Sequence, residues 1–216
     1  MKHLPFIIML LHCALSHSQN TVRVIGHRGC RGIMPENSVV GFKKAIEDGA
    51  DGIEWDVVVN RDGKLVISHE PYFHKDFCLD QDGKTIESEK LYNIYKMTQA
   101  EIEAFDCGSK IHTGFPDQQK LVTRKPLLKD AVAKLKSSIR GKLILFEIKS
   151  EVAEYGISQP HPNEFVDLIL NEVATYKFPN VVYMSFDKNI IEALYKKAPE
   201  LRLAYLPYLP SKSANA

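Results

Sequence analysis

Along most of the chain, short runs of mostly apolar residues alternate with longer stretches in which apolar positions recur every three or four residues. The first pattern reads as buried β-strand and the second as amphipathic helix. Strands are predicted at residues 22–26, 52–60, 64–69, 142–149, 181–186 and 201–206. A helix is predicted from Glu36-Asn37-Ser38 onward, carrying Val39, Val40, Phe42, Ala45 and Ile46, with Gly49 as its stop. Others are predicted at 126–138, with Leu127, Leu128, Ala131, Val132 and Leu135 on one face, at 162–176, with Phe165, Leu168, Ile169 and Val173 inward, and at 189–197. Gly29, Gly32 and Pro35 mark a loop, and Arg61-Asp62-Gly63 a turn between the second and third strands. Residues 71–125 break the rhythm. They are polar, turn at Asp82-Gly83, and hold one short helix announced by Thr98 and Glu101, a capping box ahead of Ile102 and Phe105. This stretch reads as an insertion. Regular alternation on either side of it implies an α/β fold with a parallel sheet.

Composition narrows the class. The 216 residues, 44% hydrophobic and 25% charged, suffice for one folded domain with a sizeable core. A formal net charge of +1 gives no basic field for nucleic acid, so an anionic substrate must be met by local charges. The start differs from the rest: Lys2-His3, an apolar run over 4–15, then Ser16-His17-Ser18. That is the pattern of a secretory signal peptide cleaved after Ser18, in a run shorter than the roughly 20 apolar residues of a spanning helix. The mature protein, residues 19–216, is therefore expected to be exported, periplasmic or secreted. Cys13 leaves with the leader, and Cys30, Cys78 and Cys107 remain, an odd number without CxxC or zinc-ligand spacing. A Cys78–Cys107 disulfide suits an exported protein; three free thiols fit the sequence as well.

Three predicted strand ends carry polar groups that a buried strand does not choose: His27-Arg28, Glu54 with Asp56, and Glu147 with Lys149. A fourth group, His69-Glu70, ends the 64–69 strand. Residues two apart on a strand share a face, so Glu54 and Asp56 project together, as do Glu147 and Lys149, while Trp55 and Ile148 point the other way. Buried carboxylates are costly unless they are paired or bind a cation. Glu54, Asp56 and Glu147 together form an oxygen-rich set for a hard divalent cation, calcium or magnesium rather than zinc. Arg28 and Lys149 suit phosphate, and His27 and His69 supply an acid and a base near neutral pH.

Taken in order, Val24-Ile25-Gly26-His27-Arg28-Gly29, Pro35-Glu36-Asn37-Ser38, Gly49-Ala50-Asp51-Gly52-Ile53-Glu54-Trp55-Asp56-Val57, Asp62-Gly63 to Ser68-His69-Glu70, Phe146-Glu147-Ile148-Lys149 and Tyr183-Met184-Ser185-Phe186-Asp187 resemble the glycerophosphodiester phosphodiesterase family from about residue 22 to 206. The resemblance implies a TIM-type (β/α) barrel with its site at the C-terminal strand ends. It implies a small insertion after the third strand that shapes the substrate pocket. It further implies His27 and His69 as general acid and base, Glu54, Asp56 and Glu147 as metal ligands, and Arg28 and Lys149 on the phosphate of a small glycerophosphodiester. Glu70 stands where the family has Asp, and Ser38 where it has Thr. The family's last two barrel strands have no counterpart after Leu206, so a barrel of six strands out of eight is expected. Two other functions are compatible with the residues: a phospholipase D-like or phosphoinositide-type lipid phosphodiesterase, with Tyr72, Phe73, Phe77, Leu91, Tyr92 and Tyr95 forming an apolar rim, and a non-catalytic exported protein that binds phosphodiesters.

Overall fold

The structure, a computed structural model, describes residues 22–176, 178 and 180–208. The expected leader at 1–18 lies outside the described residues. One sheet contains β1 (Ile25–Gly26), β2 (Gly52–Val59), β3 (Leu65–Ile67), β4 (Leu143–Ile148), β5 (Val181–Ser185) and β6 (Leu203–Tyr205). Its order is β1-β2-β4-β5-β6, and every pair along that path is parallel. The helices are α1 (Val39–Glu47), α2 (Gln99–Ile102), α3 (Leu128–Leu135), α4 (Pro162–Val173) and α5 (Lys188–Lys197). Strand and helix thus alternate as in the wall of an α/β barrel.

The segment expected as a third barrel strand is not one. β3 runs antiparallel to β2, with Val57 opposite Ile67 and Val59 opposite Leu65. A parallel return needs a crossover of about a dozen residues or more. The few residues around Arg61-Asp62-Gly63 cannot supply it, and Gly63 turns the chain back at a φ of 67°. The parallel sheet therefore has five strands among the described residues, not six, and the insertion follows a hairpin.

Alternation along the strands sorts the chemistry. Ile53, Trp55 and Val57 of β2 and Ile144, Phe146 and Ile148 of β4 share one core with the apolar faces of α1, α3, α4 and α5. Trp55 is fully buried and meets Phe42 of α1 edge-on, with ring centroids 5.7 Å apart. Fully burying such side chains stabilises by about 1.5–3 kcal/mol each. The opposite face of the same strands is left to Glu54, Asp56 and Glu147. Ser38 caps α1, its hydroxyl accepting from Gly41 N at 3.1 Å and donating to Pro35 O at 2.6 Å. Serine thus performs the capping that a threonine would.

The insertion has a core of its own. Phe73 stacks on Phe105 with centroids 3.9 Å apart, and Phe77, Ile86, Ile94 and Ile102 surround them. Val58 and Val66 join this core from the hairpin. The predicted capping box of Thr98 and Glu101 starts α2. Cys78 and Cys107 are bridged, and Cys30 is free. Of the six side chains considered for an apolar rim, Phe73 and Phe77 are buried and Leu91 alone is largely exposed. No helix among the described residues is long and apolar enough to cross a membrane.

Candidate functional site

Register brings the acidic residues together. Gly26 pairs with Ile53, so His27 follows β1 at the level of Glu54, and Asp56 lies beside Glu147 on the neighbouring parallel strand. One carboxylate oxygen from each of Glu54, Asp56 and Glu147 lies within 4.8 Å of the others, and all three residues are buried. Glu54 Oε1 and Asp56 Oδ1 have no hydrogen-bond donor. Orphaned, buried, anionic oxygens at this spacing fit a hard cation, which would neutralise their repulsion. Burial first, and then the charge of Asp56, raises the Glu54 carboxyl to about 8 when nothing is bound.

The loop after β1 wraps around this cluster. Arg28 adopts a left-handed φ of 53° and Asn37 one of 50°. Such conformations cost about 1–3 kcal/mol each and persist where surrounding contacts hold them. Here the Arg28 amide donates to Glu54 Oε2 at 2.7 Å, and Asn37 N donates to Arg28 O at 3.0 Å. The Asn37 amide donates to Asp56 Oδ2 at 2.8 Å and accepts from Asp56 N at 3.3 Å, fixing that carboxylate. The Arg28 guanidinium bonds Glu36 at 2.8 Å and lies 3.5 Å from Asp56. Lys149 donates to Glu147 at 2.5 Å and lies 3.7 Å from Asp56. Both cations therefore flank the carboxylates with donors to spare for an anion.

The histidines have unlike surroundings. His27 is 61% exposed at its side chain, with Nε2 3.9 Å from Glu54 Oε2. Partial burial, and then the charges of Arg28 and Arg31, lower its pKa. His69 Nδ1 meets Glu70 Oε1 at 2.6 Å. Burial alone would raise the Glu70 carboxyl, but the His69 hydrogen bond and the charge of Lys125 hold it at about 2. A carboxylate only accepts, so Nδ1 carries the proton and Nε2 is left free. A cleft of about 380 Å³ runs past His69, Glu147 and Lys149 to Tyr72, Glu154 and Phe186.

The structure thus brings Glu54, Asp56, Glu147, Arg28, Lys149 and His27 into one neighbourhood and sets His69 on the adjoining cleft with Glu147 and Lys149. Glu36 and Asn37 were read from the sequence only as part of a motif and a helix start; they hold Arg28 and Asp56 in place. A buried lysine at position 125 carried no sequence signal beyond ending a polar insertion.

A profile of the glycerophosphoryl diester phosphodiesterase family matches residues 27–214. A glycerophosphodiester phosphodiesterase of Caldanaerobacter subterraneus is 30% identical over 185 residues, covering 85% of this chain and 65% of that protein. The crystal structure of a Silicibacter pomeroyi protein assigned to the glycerophosphoryl diester phosphodiesterases aligns with 91% of this chain and 69% of that one, at 31% identity and a TM-score of 0.77. An Oleispira antarctica phosphodiesterase, solved with the product sn-glycerol-3-phosphate, shares the fold over 88% of this chain and 68% of that one, at 22% identity and a TM-score of 0.66. The chain spans 65 to 66% of the length of the first sequence relatives.

Proposed function

Because this chain belongs to the glycerophosphoryl diester phosphodiesterase family, we propose that it hydrolyses glycerophosphodiesters to glycerol 3-phosphate and an alcohol, by acid/base catalysis with a divalent cation. The observation that carries the reading is the buried Glu54–Asp56–Glu147 set, with two orphaned oxygens, flanked by Arg28 and Lys149 and opening on the cleft that holds His69.

Glu54, Asp56 and Glu147 hold the cation, and their all-oxygen donor set suits calcium or magnesium. Once bound, such a cation supplies positive charge to a phosphoryl oxygen. Arg28 and Lys149 receive the other phosphoryl oxygens, and the charge that develops on them is matched by donors already fixed by Glu36 and Glu147. His69 Nε2, its ring oriented by the Glu70 carboxylate, accepts a proton from the attacking water as the new O–P bond forms. The P–O bond to the alcohol breaks, and His27 donates a proton to the leaving oxygen. A lipid substrate is less well supported, since most of the aromatic side chains of the insertion pack inward or lie half-buried. The non-catalytic binding reading is disfavoured by the His69–Glu70 pair, which binding alone does not require.

Choline release from glycerophosphocholine, measured with calcium, with magnesium and with chelator, tests catalysis and cation dependence together. Turnover that chelator removes and either ion restores supports the reading; no release with either ion overturns it. Export of the mature chain is part of the same proposal, supported by the bridged Cys78–Cys107 pair, which persists in oxidising compartments. Recovery of the protein only from a cytosolic fraction would overturn that part.

A further inference from the structure

Lys125 is a buried lysine without a close carboxylate. It is 6% exposed, no carboxylate oxygen among the described residues lies within ion-pair distance, and its side chain makes one hydrogen bond, from Nζ to Ser68 Oγ at 2.7 Å. The Phe73 ring lies 5.5 Å below the ammonium. Burying a cation so thinly partnered is costly, and such a group is retained only where the surrounding field needs it. Its neighbours in charge are Glu70, Glu36, Asp56 and Arg28. Lys125 also lines a small pocket together with Glu36 and Asn37, the residues that hold Arg28 and Asp56.

Burial lowers the Lys125 pKa, while the charges of Glu70 and Glu36 oppose that shift; in its charged form the hydrogen-bond direction is fixed. An ammonium only donates, so the Ser68 hydroxyl accepts from Lys125 and must turn its own proton elsewhere. It donates that proton to Glu70 O at 2.6 Å. That bond fixes the Glu70 backbone, from which the Glu70 side-chain carboxylate reaches His69 Nδ1 at 2.6 Å. The backbone holds the lysine beside this chain: Ile67 N donates to Pro126 O at 2.9 Å, and Val66 bridges Leu127 antiparallel. The end of the insertion is thus stitched to the end of β3, one residue from Ser68.

We propose that Lys125 is a positioning residue for the reaction: acting through Ser68, it fixes the His69–Glu70 pair in the geometry that leaves His69 Nε2 free toward the cleft. This rests on the reading of His69 as the base. The charged and titratable groups facing the pair are Lys125 and His74 on the insertion and Arg28 on the loop after β1, with Glu147, Lys149, Glu151, Tyr72, Glu154 and Tyr208 around the cleft. The Lys125 charge favours the ionised form of Glu70, the partner that orients the imidazole.

The test uses Lys125→Met, Ser68→Ala and the double variant, with metal-loaded protein and glycerophosphocholine. Each single variant should lose about tenfold in kcat with KM within about twofold, since proton transfer is impaired and not binding. The double variant should lose no more than either single one, because both act through one path. The acid limb of the kcat–pH profile should move to higher pH in Lys125→Met. Where a single variant fails to fold, the double variant, which removes both polar partners together, carries the test. Wild-type kcat and an unmoved acid limb in any folded variant lacking Lys125 overturn the proposal, whatever its melting temperature. Should the wild-type chain release no choline, the proposed function falls separately, and NMR titration of the His69 imidazole still decides. A higher pKa in Lys125→Met supports the coupling, and an unchanged one overturns it.

Discussion

Asp56 and Glu147 stand at the same register position on adjacent parallel strands, β2 and β4, so two buried carboxylates lie side by side on the inner face of the sheet. Glu54, two residues before Asp56 on the same face, completes the cluster, and its pKa is raised first by burial and then by the charges of Asp56 and Glu147.

Burial of these charges together makes the metal-free protein pH-sensitive. The Glu54 pKa is raised on folding from 4.5 to about 8. Its contribution to stability is therefore complete below the unfolded value and is lost as pH rises through the folded one. Thermal melts in chelator should show stability falling by a few kcal/mol at most between about pH 5 and about pH 9. Glu54→Gln should flatten that dependence, and a saturating divalent cation should stabilise the wild type but not Glu54→Gln. An equal slope in both proteins would count against the cluster.

His27 lies at the surface end of the site and packs against little. His27→Ala should reduce kcat by about 10²–10⁴-fold while leaving the melting temperature within a degree or two. Retained turnover would remove His27 from the mechanism, and a large loss of stability would give it a structural role instead.

Gly29 turns the chain at a φ of +83°, and an added Cβ would lie 2.7 Å from the Gly41 carbonyl carbon. Gly29→Ala should cost about 1–3 kcal/mol from overpacking alone, with a further penalty for the left-handed conformation. Because Arg28 N would leave Glu54, cation affinity should weaken along with the melting temperature. Calorimetry on the same sample reads both.

The Cys78–Cys107 bridge closes a loop of 29 residues around the Phe73–Phe105 core. Replacing both cysteines with alanine should destabilise by about 3–4 kcal/mol on loop entropy. The loss should be local, so limited proteolysis should cut within the insertion before it cuts the α/β wall. Cleavage that begins in the wall would show that the insertion core does not depend on the bridge.

Most of the architecture was legible because it rests on local periodicity. Each predicted helix appears with most of its apolar face inward, although Val40 of α1 is exposed, the helix expected at 162–176 ends at Val173 and that at 126–138 spans Leu128–Leu135. The strand expected as buried at 22–26 contracts to Ile25–Gly26, and Val22 and Val24 are largely exposed instead of buried. The direction of β3 was also legible in principle, for the turn at Arg61-Asp62-Gly63 admits only a hairpin.

The side-chain alternation of β2 and β4 is covalent geometry, and so the sequence by itself determined that Glu54 and Asp56 project together, that Glu147 and Lys149 project together, and that Trp55 and Ile148 point away from them. It likewise determined which chemistry those residues can perform. Only the tertiary structure decided that Asp56 meets Glu147, that Arg28 holds Glu54 by its backbone amide, and that Asn37 clamps Asp56. The same holds for Lys125, delivered by the end of an irregular insertion to Ser68, 57 residues earlier in the chain. Contacts of that kind follow from strand register and from the way the insertion packs on the hairpin. Both are set by the burial of whole faces against one another, which no short window of sequence contains.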